Sequence, residues 1–444
     1  MMPRQSIFFL VHLFLISQLA FSQNDYLKMD TSIYAGNIGR LPKVKDEWKP
    51  FIQENSVPLK SIESDDFTDL MFLKDILQHK QYVFLGESSH IVEEFNKTKV
   101  RLIKFLHQEM GFDVISFESN LWDCHNINLQ KDSLYPKQMF TNSIYGVWHT
   151  TSLLKLMEYL KRRNVSLSGF DIKESGLPDY QFENSELNAL SPSVAEIAKQ
   201  VLTGYYAYRK KMAQSGFYMP GKKNNNDLTD LGNKIIVNLK MLNDSLVKLT
   251  KENPSNKNLL IYQKDIENKT VYTGCLLEER KLNDNISNVR DSMMAVTLEW
   301  LVKEIYPGKK IVFWGHNTHI SKYHAKGDIQ HMGFRLNDSI KDKSYVIGLY
   351  MYRGETYTDK TIQIGKPKKN SLEAILIQPR YKYSFFDFSM QAESLGSSWI
   401  FQAIPAMLWG MTLEKIIPGQ AYDGVIFIDK VTKPEYLFDY YREE

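Results

Sequence analysis

The stretch Tyr82-Val83-Phe84-Leu85-Gly86-Glu87-Ser88-Ser89-His90 decides the fold. Its first four residues form an unbroken apolar run, and the next five turn polar at once. A short apolar run without alternation reads as a strand buried on both faces. The same arrangement recurs along the chain. Val114-Ile115-Ser116-Phe117 runs into Glu118-Ser119-Asn120, residues 165–170 run into Asp171, and Ile311-Val312-Phe313-Trp314 into Gly315-His316-Asn317-Thr318-His319. Residues 345–350 and Val425-Ile426-Phe427-Ile428 follow, the last ending at Asp429.

Between these runs the apolar spacing becomes helical. Over residues 92–110 a stripe of Val92, Phe95, Leu102 and Leu106 recurs, flanked by Ile103 and Met110. Residues 152–163 are amphipathic, and so are 291–305, where Pro307-Gly308 supplies a stop. Strands alternating with helices predict an α/β fold, a largely parallel central sheet flanked by helices. The stretch from about 178 to 288 differs: it is polar, helix-patterned and rich in Lys and Asn, with a loop around 220–226. It is expected to be a helical insertion beside the sheet that forms one wall of the cleft.

In such sheets ligands bind beyond the carboxyl ends of the strands, which is where the polar clusters fall. Glu87 and His90 lie three apart at a strand-to-helix turn. A base there faces the cleft, and the carboxylate fixes its tautomer and stabilises the imidazolium. The structural alternative is an N-capping loop, with Ser88 or Ser89 as the cap. Glu118 ends the next buried run, where an unpaired carboxylate is costly; it is expected to hold His90, a water or a basic residue. Lys99 sits within the apolar stripe, so it either snorkels outward or pairs with Glu87 or Glu118.

His316 and His319 share a face if a helix starts directly after the strand. Their expected chemistry is donation to an oxyanion or protonation of a leaving alkoxide. The set His90, Glu118, His316 and His319 also has the donor types of a divalent-metal site, although His-x-x-His is not the helical His-Glu-x-x-His signature. Gly86-x-Ser88-x-His90 approaches a nucleophile elbow, with His in place of the second Gly. Trp122, Trp148, Tyr350 and Tyr352 are candidates to line an apolar pocket.

Composition narrows the partners. The chain has 444 residues, and its net charge of +3 with 24% charged residues leaves no basic surplus for nucleic acid. Arg4, the mostly apolar residues 7–19 and Ala20-Phe21-Ser22 read as a signal peptide over 1–22, cleaved before Gln23. The apolar run falls short of the roughly 20 residues of a membrane span. An exported protein, periplasmic or secreted and free of the membrane once processed, is expected. Cys124 and Cys275 leave one disulfide open.

Taken together these segments resemble the erythromycin esterase family. The match runs through Leu85-Gly86-Glu87-Ser88-Ser89-His90, Glu94-Phe95, Arg101-Leu102-Ile103, Gly111-Phe112, Phe117-Glu118, Trp148 and Gly169-Phe170-Asp171-Ile172. It continues through Arg290-Asp291, Met294-Ala295, Trp300-Leu301, Trp314-Gly315-His316-Asn317-Thr318-His319, Met332-Gly333 and Tyr422-Asp423-Gly424. The resemblance implies His90 as general base, Glu87 and Glu118 as its carboxylate partners, His316 and His319 as the paired His, and a catalytic basic residue at Lys99. Glu94, Trp148, Asp171 and Tyr352 are the candidate substrate-binding residues. The expected activity is hydrolysis of a small-molecule ester or macrocyclic lactone by activated water, without a cofactor. A divalent-metal hydrolase built on the same cluster is one alternative, and an exported binding protein without turnover is another.

Overall fold

The apolar runs are strands, and each meets its polar cluster at the carboxyl end. The computed structural model describes residues 31–176, 178–215, 226–282, 286–324, 330–357 and 361–437. The expected signal peptide and most of the loop at 220–226 lie outside the described residues. In chain order the strands are β1 (Ser56–Pro58), β2 (Tyr82–Leu85), β3 (Val114–Asn120), β4 (Ser166–Asp171), β5 (Ile311–Trp314) and β6 (Ser344–Tyr357). Then come β7 (Thr361–Gln363), β8 (Tyr383–Asp387), β9 (Ile404–Leu408), β10 (Thr412–Ile416) and β11 (Gly424–Val431).

The main sheet runs β1-β8-β11-β6-β2-β5-β3-β4, with β7 pairing to β6. From β11 to β4 all neighbours are parallel; β8 and β1 complete one edge antiparallel. The strands not anticipated are β1, β7, β8 and the separate hairpin β9–β10. They are short, edge or paired outside the main parallel core, so they lack the long apolar run that marked the others.

Alternate residues of the runs enter two cores. Phe84, Phe313, Tyr350 and Phe427 face one side, while Val83, Leu85, Trp314, Leu349 and Ile428 face the other. The second side receives the helix Glu93–Met110, which buries Phe95, Leu102, Ile103 and Leu106. Two glutamates in its first turn suit the positive end of the helix dipole. Gly111, at φ +73°, ends it, and the N–H groups of Gly111 and Phe112 reach back to the carbonyls of His107 and Leu106. Truncating Phe95 to Ala would cost about 3–5 kcal/mol. Lys99 is carried on this same buried face.

The polar stretch folds into the long helices Pro192–Gln214, Asn226–Glu252 and Lys257–Leu282. They pack against one another through Leu239, Leu242 and Leu246, and against the helix Leu121–Gln130 through Tyr262 and Trp122, rings 4.8 Å apart. The expected wall from this block is not seen among the described residues: none of those that line the pocket beside His90 lies within 178–288. The block covers the sheet's β3–β4 side, and the wall comes instead from residues 145–148 and the β9–β10 hairpin. None of the described helices is long and apolar enough to cross a membrane. Cys124 and Cys275 are not bonded to each other; Cys124 is buried, its Sγ 3.2 Å from the Ser143 carbonyl.

Candidate active site

The strand order makes the site. Although β5 comes nearly two hundred residues after β3, it inserts between β2 and β3. The loops after β2 and β5 therefore bring Glu87 and His90, and His316 and His319, to the crevice that Glu118 reaches from near the end of β3. Asn317 fastens two of these loops and β6 together. Its backbone N–H donates to Glu87 O at 2.8 Å, its Nδ2 donates to Leu349 O at 3.1 Å, and its Oδ1 accepts from Leu349 N at 3.3 Å. Gly86 permits this approach, because a Cβ there would stand 2.1 Å from Asn317 Oδ1.

Glu87 is fully buried and saturated. Its Oε1 meets His90 Nδ1 at 2.6 Å and accepts from Trp148 Nε1 at 2.9 Å, while Oε2 pairs with Lys99 Nζ at 2.6 Å. Burial would push its pKa up, but Lys99 and His90 outweigh that and hold it below the ordinary carboxylate value. Lys99 is also fully buried, its Nζ 3.8 Å from the centre of the Trp314 ring. Burial lowers its pKa to about 8 against the pull of Glu87 and Glu118. With Nδ1 of His90 donating to a carboxylate, Nε2 is the nitrogen left to accept a proton, and it makes no hydrogen bond to any described residue.

A second knot lies one strand away. Arg290 forms a fork on Asp171, both Nε–O distances being 3.1 Å, with a further Nη2 contact; the same Nη2 reaches Glu118 Oε1 at 2.8 Å. The other Glu118 oxygen accepts from the His316 backbone N–H at 2.8 Å. His319 sits between two carboxylates, Nδ1 at 2.8 Å from Asp291 and Nε2 at 3.3 Å from Glu118. Burial opposes its charge, but the two carboxylates prevail and raise its pKa. Glu118 and Asp291 are correspondingly depressed, each against the upward push of burial, chiefly by His319.

His316 is the opposite case. It is the N-cap of the four-residue helix Asn317–Ile320, and its Nδ1 accepts from Thr318 N at 3.2 Å. The proton of the neutral ring is thereby placed on Nε2, which is buried and has no hydrogen-bond partner among the described residues. Burial first, then His90 and His319, lowers its pKa well below the usual imidazole value. Its ring stacks on Trp409 at 4.5 Å and lies 4.9 Å from the His90 ring. Trp409 also meets His90 edge-on at 5.2 Å. Trp409 and Gly410 turn the β9–β10 hairpin with φ of +57° and +69°. Positive φ at both positions is the hairpin-compatible turn geometry, favourable for Gly and costly for Trp. The Trp409 N–H donates to Ser88 O at 2.8 Å and ties the turn to the His90 loop.

Part of this cluster lines a pocket of about 470 Å³, while Glu87, Lys99, His316 and His319 lie behind its surface. His90, Glu118, Trp148 and Arg290 line it, with Tyr145, Lys173, Ile362, Trp409 and Met411. Of the candidate substrate-binding residues, Trp148 lines this pocket and Asp171 lies behind it, gripping Arg290. Glu94 and Tyr352 are elsewhere. Glu94 accepts from the N–H and hydroxyl of Thr432, and Tyr352 packs in the core on the opposite face of the sheet from Lys99. Trp122 and Tyr350 are core as well. The donor role expected of His319 has no free nitrogen to carry it, because Asp291 holds Nδ1 and Nε2 faces Arg290 Nη1 at 3.2 Å and Glu118 at 3.3 Å. Ser88 and Ser89 are buried and their hydroxyls bond no His, so the geometry of a serine nucleophile is absent.

Sequence reasoning gave no role to Arg290, Asp291, Tyr145, Lys173 or Trp409. Arg290 and Asp291 lie inside the helix Ile286–Trp300, which also carries Ser287, Asn288, Ser292, Thr297 and Glu299, so two charges there did not stand out. A metal bound by His90, Glu118, His316 and His319 would need their donor atoms to converge, and they do not form a convergent group. The convergent group among the described residues is Asp291, His319 and His331. There His319 Nδ1 already bonds Asp291, and Asp291 Oδ1 also accepts from Met332 N at 2.8 Å.

Comparisons with known proteins agree with this architecture. The erythromycin esterase family model matches residues 107–431. A Bacillus subtilis protein named "Putative hydrolase YbfO" is 31% identical over 410 residues, covering 87% of this chain and 91% of its own. Erythromycin esterase type II from Escherichia coli is 22% identical over 446 residues, covering 89% of this chain and 99% of its own. A solved structure of an erythromycin esterase variant in its open conformation superposes with a TM-score of 0.59 at 18% identity, covering 84% of this chain and 96% of that one. The chain belongs to the erythromycin esterase family of hydrolases.

Proposed function

We propose that the chain opens esters or lactones by adding water, with His90 as the general base and no metal in the step. The observation that carries this is the pairing of His90 Nδ1 with buried Glu87 while Nε2 stays unbonded at the pocket. His90 Nε2 takes a proton from water as its oxygen attacks the carbonyl carbon. The carbonyl electron pair moves to oxygen; in this reading its donor is the Nε2–H of neutral His316, buried beside His90 with the rings 4.9 Å apart and reached only once the substrate is seated. The tetrahedral intermediate collapses, and the imidazolium of His90 returns its proton to the departing alkoxide. Glu87 stabilises that imidazolium, and Lys99 keeps Glu87 ionised. His319 and Arg290 hold Glu118, which in turn fixes the His316 backbone.

Macrolide lactones enter as candidate substrates through the names of the Escherichia coli relatives, and simpler esters through the pocket's size. A leader over residues 1–22 carries the protein to the periplasm or medium in this reading, so the processed product starts at Gln23. The test incubates the protein with a panel of macrolides and simple esters, with and without chelator, and reads products by mass spectrometry. Uptake of one water that survives chelation is expected. Uptake abolished by chelator and restored by a divalent ion would replace the base-only mechanism with a metal-dependent one.

A further inference from the structure

The pocket runs along the sheet and changes character from end to end. On the β6–β7 side its wall is Ile362, Trp409 and Met411, and Trp148 continues the apolar surface past His90. On the β4 side it reaches Lys173, two residues beyond the end of β4. The backbone there is pinned, since the Tyr145 hydroxyl donates to both Asp171 and the Lys173 carbonyl.

Charges in the crevice are otherwise taken. Lys99 is bound to Glu87, Arg290 to Asp171 and Glu118, and His319 to Asp291 and Glu118. Lys173 lines the same pocket half-buried, and it makes no ion pair among the described residues. Burial and then repulsion from Arg290 lower its pKa, a cost that a nearby anion would relieve. A half-buried cation without a direct counterion among the described residues, at the end of a pocket whose other end is apolar, is a specificity feature.

We propose that Lys173 receives a carboxylate on the substrate, so that the preferred ester carries an anionic group on its acyl side and an apolar alcohol lies against Trp148 and Trp409. The inference rests on the hydrolytic reading above and names its substrate class. One ammonium without an ion pair among the described residues matches a monoanion; a phosphate dianion would call for a second cation or a bidentate arginine. Water adds across the ester bond, and the products are a dicarboxylate and an alcohol.

The test compares the mono-4-nitrophenyl ester of adipic acid with 4-nitrophenyl hexanoate, which has a methyl group in place of the carboxylate. The wild-type protein should prefer the anionic ester in kcat/KM by roughly tenfold or more, the size of a charge-assisted hydrogen bond. Lys173→Met should abolish that ratio, and Lys173→Arg should keep most of it. Binding of both esters to His90→Ala protein, followed by quenching of tryptophan fluorescence, should show the same preference and the same loss when Lys173→Met is added. No preference in the wild type, or an equal effect of Lys173→Met on both esters, would overturn the proposal and leave Lys173 as a charge balance for Asp171 and Glu118. Selective binding that depends on Lys173 without turnover of either ester would support the anion site while defeating the ester-hydrolase reading.

Discussion

Two histidines on neighbouring strands end up with opposite capacities because they meet different numbers of carboxylates. His90 touches one, through Nδ1, and keeps Nε2 free at the pocket. His319 touches two, one at each ring nitrogen, and has nothing left to offer a substrate. One carboxylate makes an imidazole a better base with a place to put the proton; two, with Arg290 Nη1 3.2 Å from Nε2, leave no nitrogen free and favour the charged ring against Arg290. The carboxylates differ too. Glu87 spends its charge on Lys99 and polarises His90, whereas Glu118 and Asp291 spend theirs on holding His319 and Arg290 still.

The sharpest way to break this comparison is to remove the free nitrogen. His90→Ala should lower turnover by about 10²–10⁴-fold, the usual contribution of a positioned base, while thermal unfolding stays near wild type because the ring is partly exposed. A wild-type rate from the pure variant would end the assignment. Glu87→Gln should come next, and it should act on stability as well as rate. It leaves the buried Lys99 without its partner, so that its ammonium stays unpaired or sheds its proton, at a cost of about 3–5 kcal/mol in denaturant unfolding. Adding Lys99→Met should recover most of that stability yet leave turnover low, since His90 still lacks its carboxylate. Recovery of both together would mean that Glu87 serves the fold and not the base.

The fixed histidine leaves its mark in pH dependence. His319 has a raised pKa in the folded chain, so its contribution is complete below about 6.5, the free-imidazole value, and is lost as pH rises through the folded value. Glu118 and Asp291 have depressed values, so their contribution is present above about 4 and is lost as pH falls through theirs. Stability measured from pH 5 to 9 should therefore decline on the alkaline side in the wild type. In His319→Gln that alkaline decline should flatten, with a lower plateau at pH 6. An unchanged slope would show that His319 is not held as a cation. The smallest effect is expected at Trp409. Trp409→Asn keeps a residue that tolerates positive φ and removes the indole from His90 and His316. Activity should fall roughly 2- to 10-fold, the worth of an aromatic contact, with kcat and KM read separately.

Much of this was legible in the sequence, and the parts that were not share a cause. Glu87 and His90 were readable because they sit three residues apart in one turn, and local spacing is what a sequence displays directly. Lys99 stood out because a charge on an apolar stripe demands a partner, although the choice between Glu87 and Glu118 was left open. Arg290 lacked such a signal. It lies within the helix Ile286–Trp300 among other polar residues, where a charge is ordinary, and its partners Glu118 and Asp171 are more than a hundred residues away. Trp409 was invisible for a different reason: its position over two histidines comes from a hairpin turn tied by one backbone hydrogen bond to Ser88. The helical block from 178 to 288 had a readable composition, but nothing in its polarity said which side of the sheet it would cover.

The sequence by itself determined the parallel core, the polar clusters at the strand ends and the local Glu87–His90 pair, because apolar runs and short spacings act through neighbours along the chain. The tertiary structure decided that β5 lies between β2 and β3, and so which carboxylate each histidine meets. That choice depends on burying whole strand faces against distant helices, a sum over the entire core that no single stretch encodes.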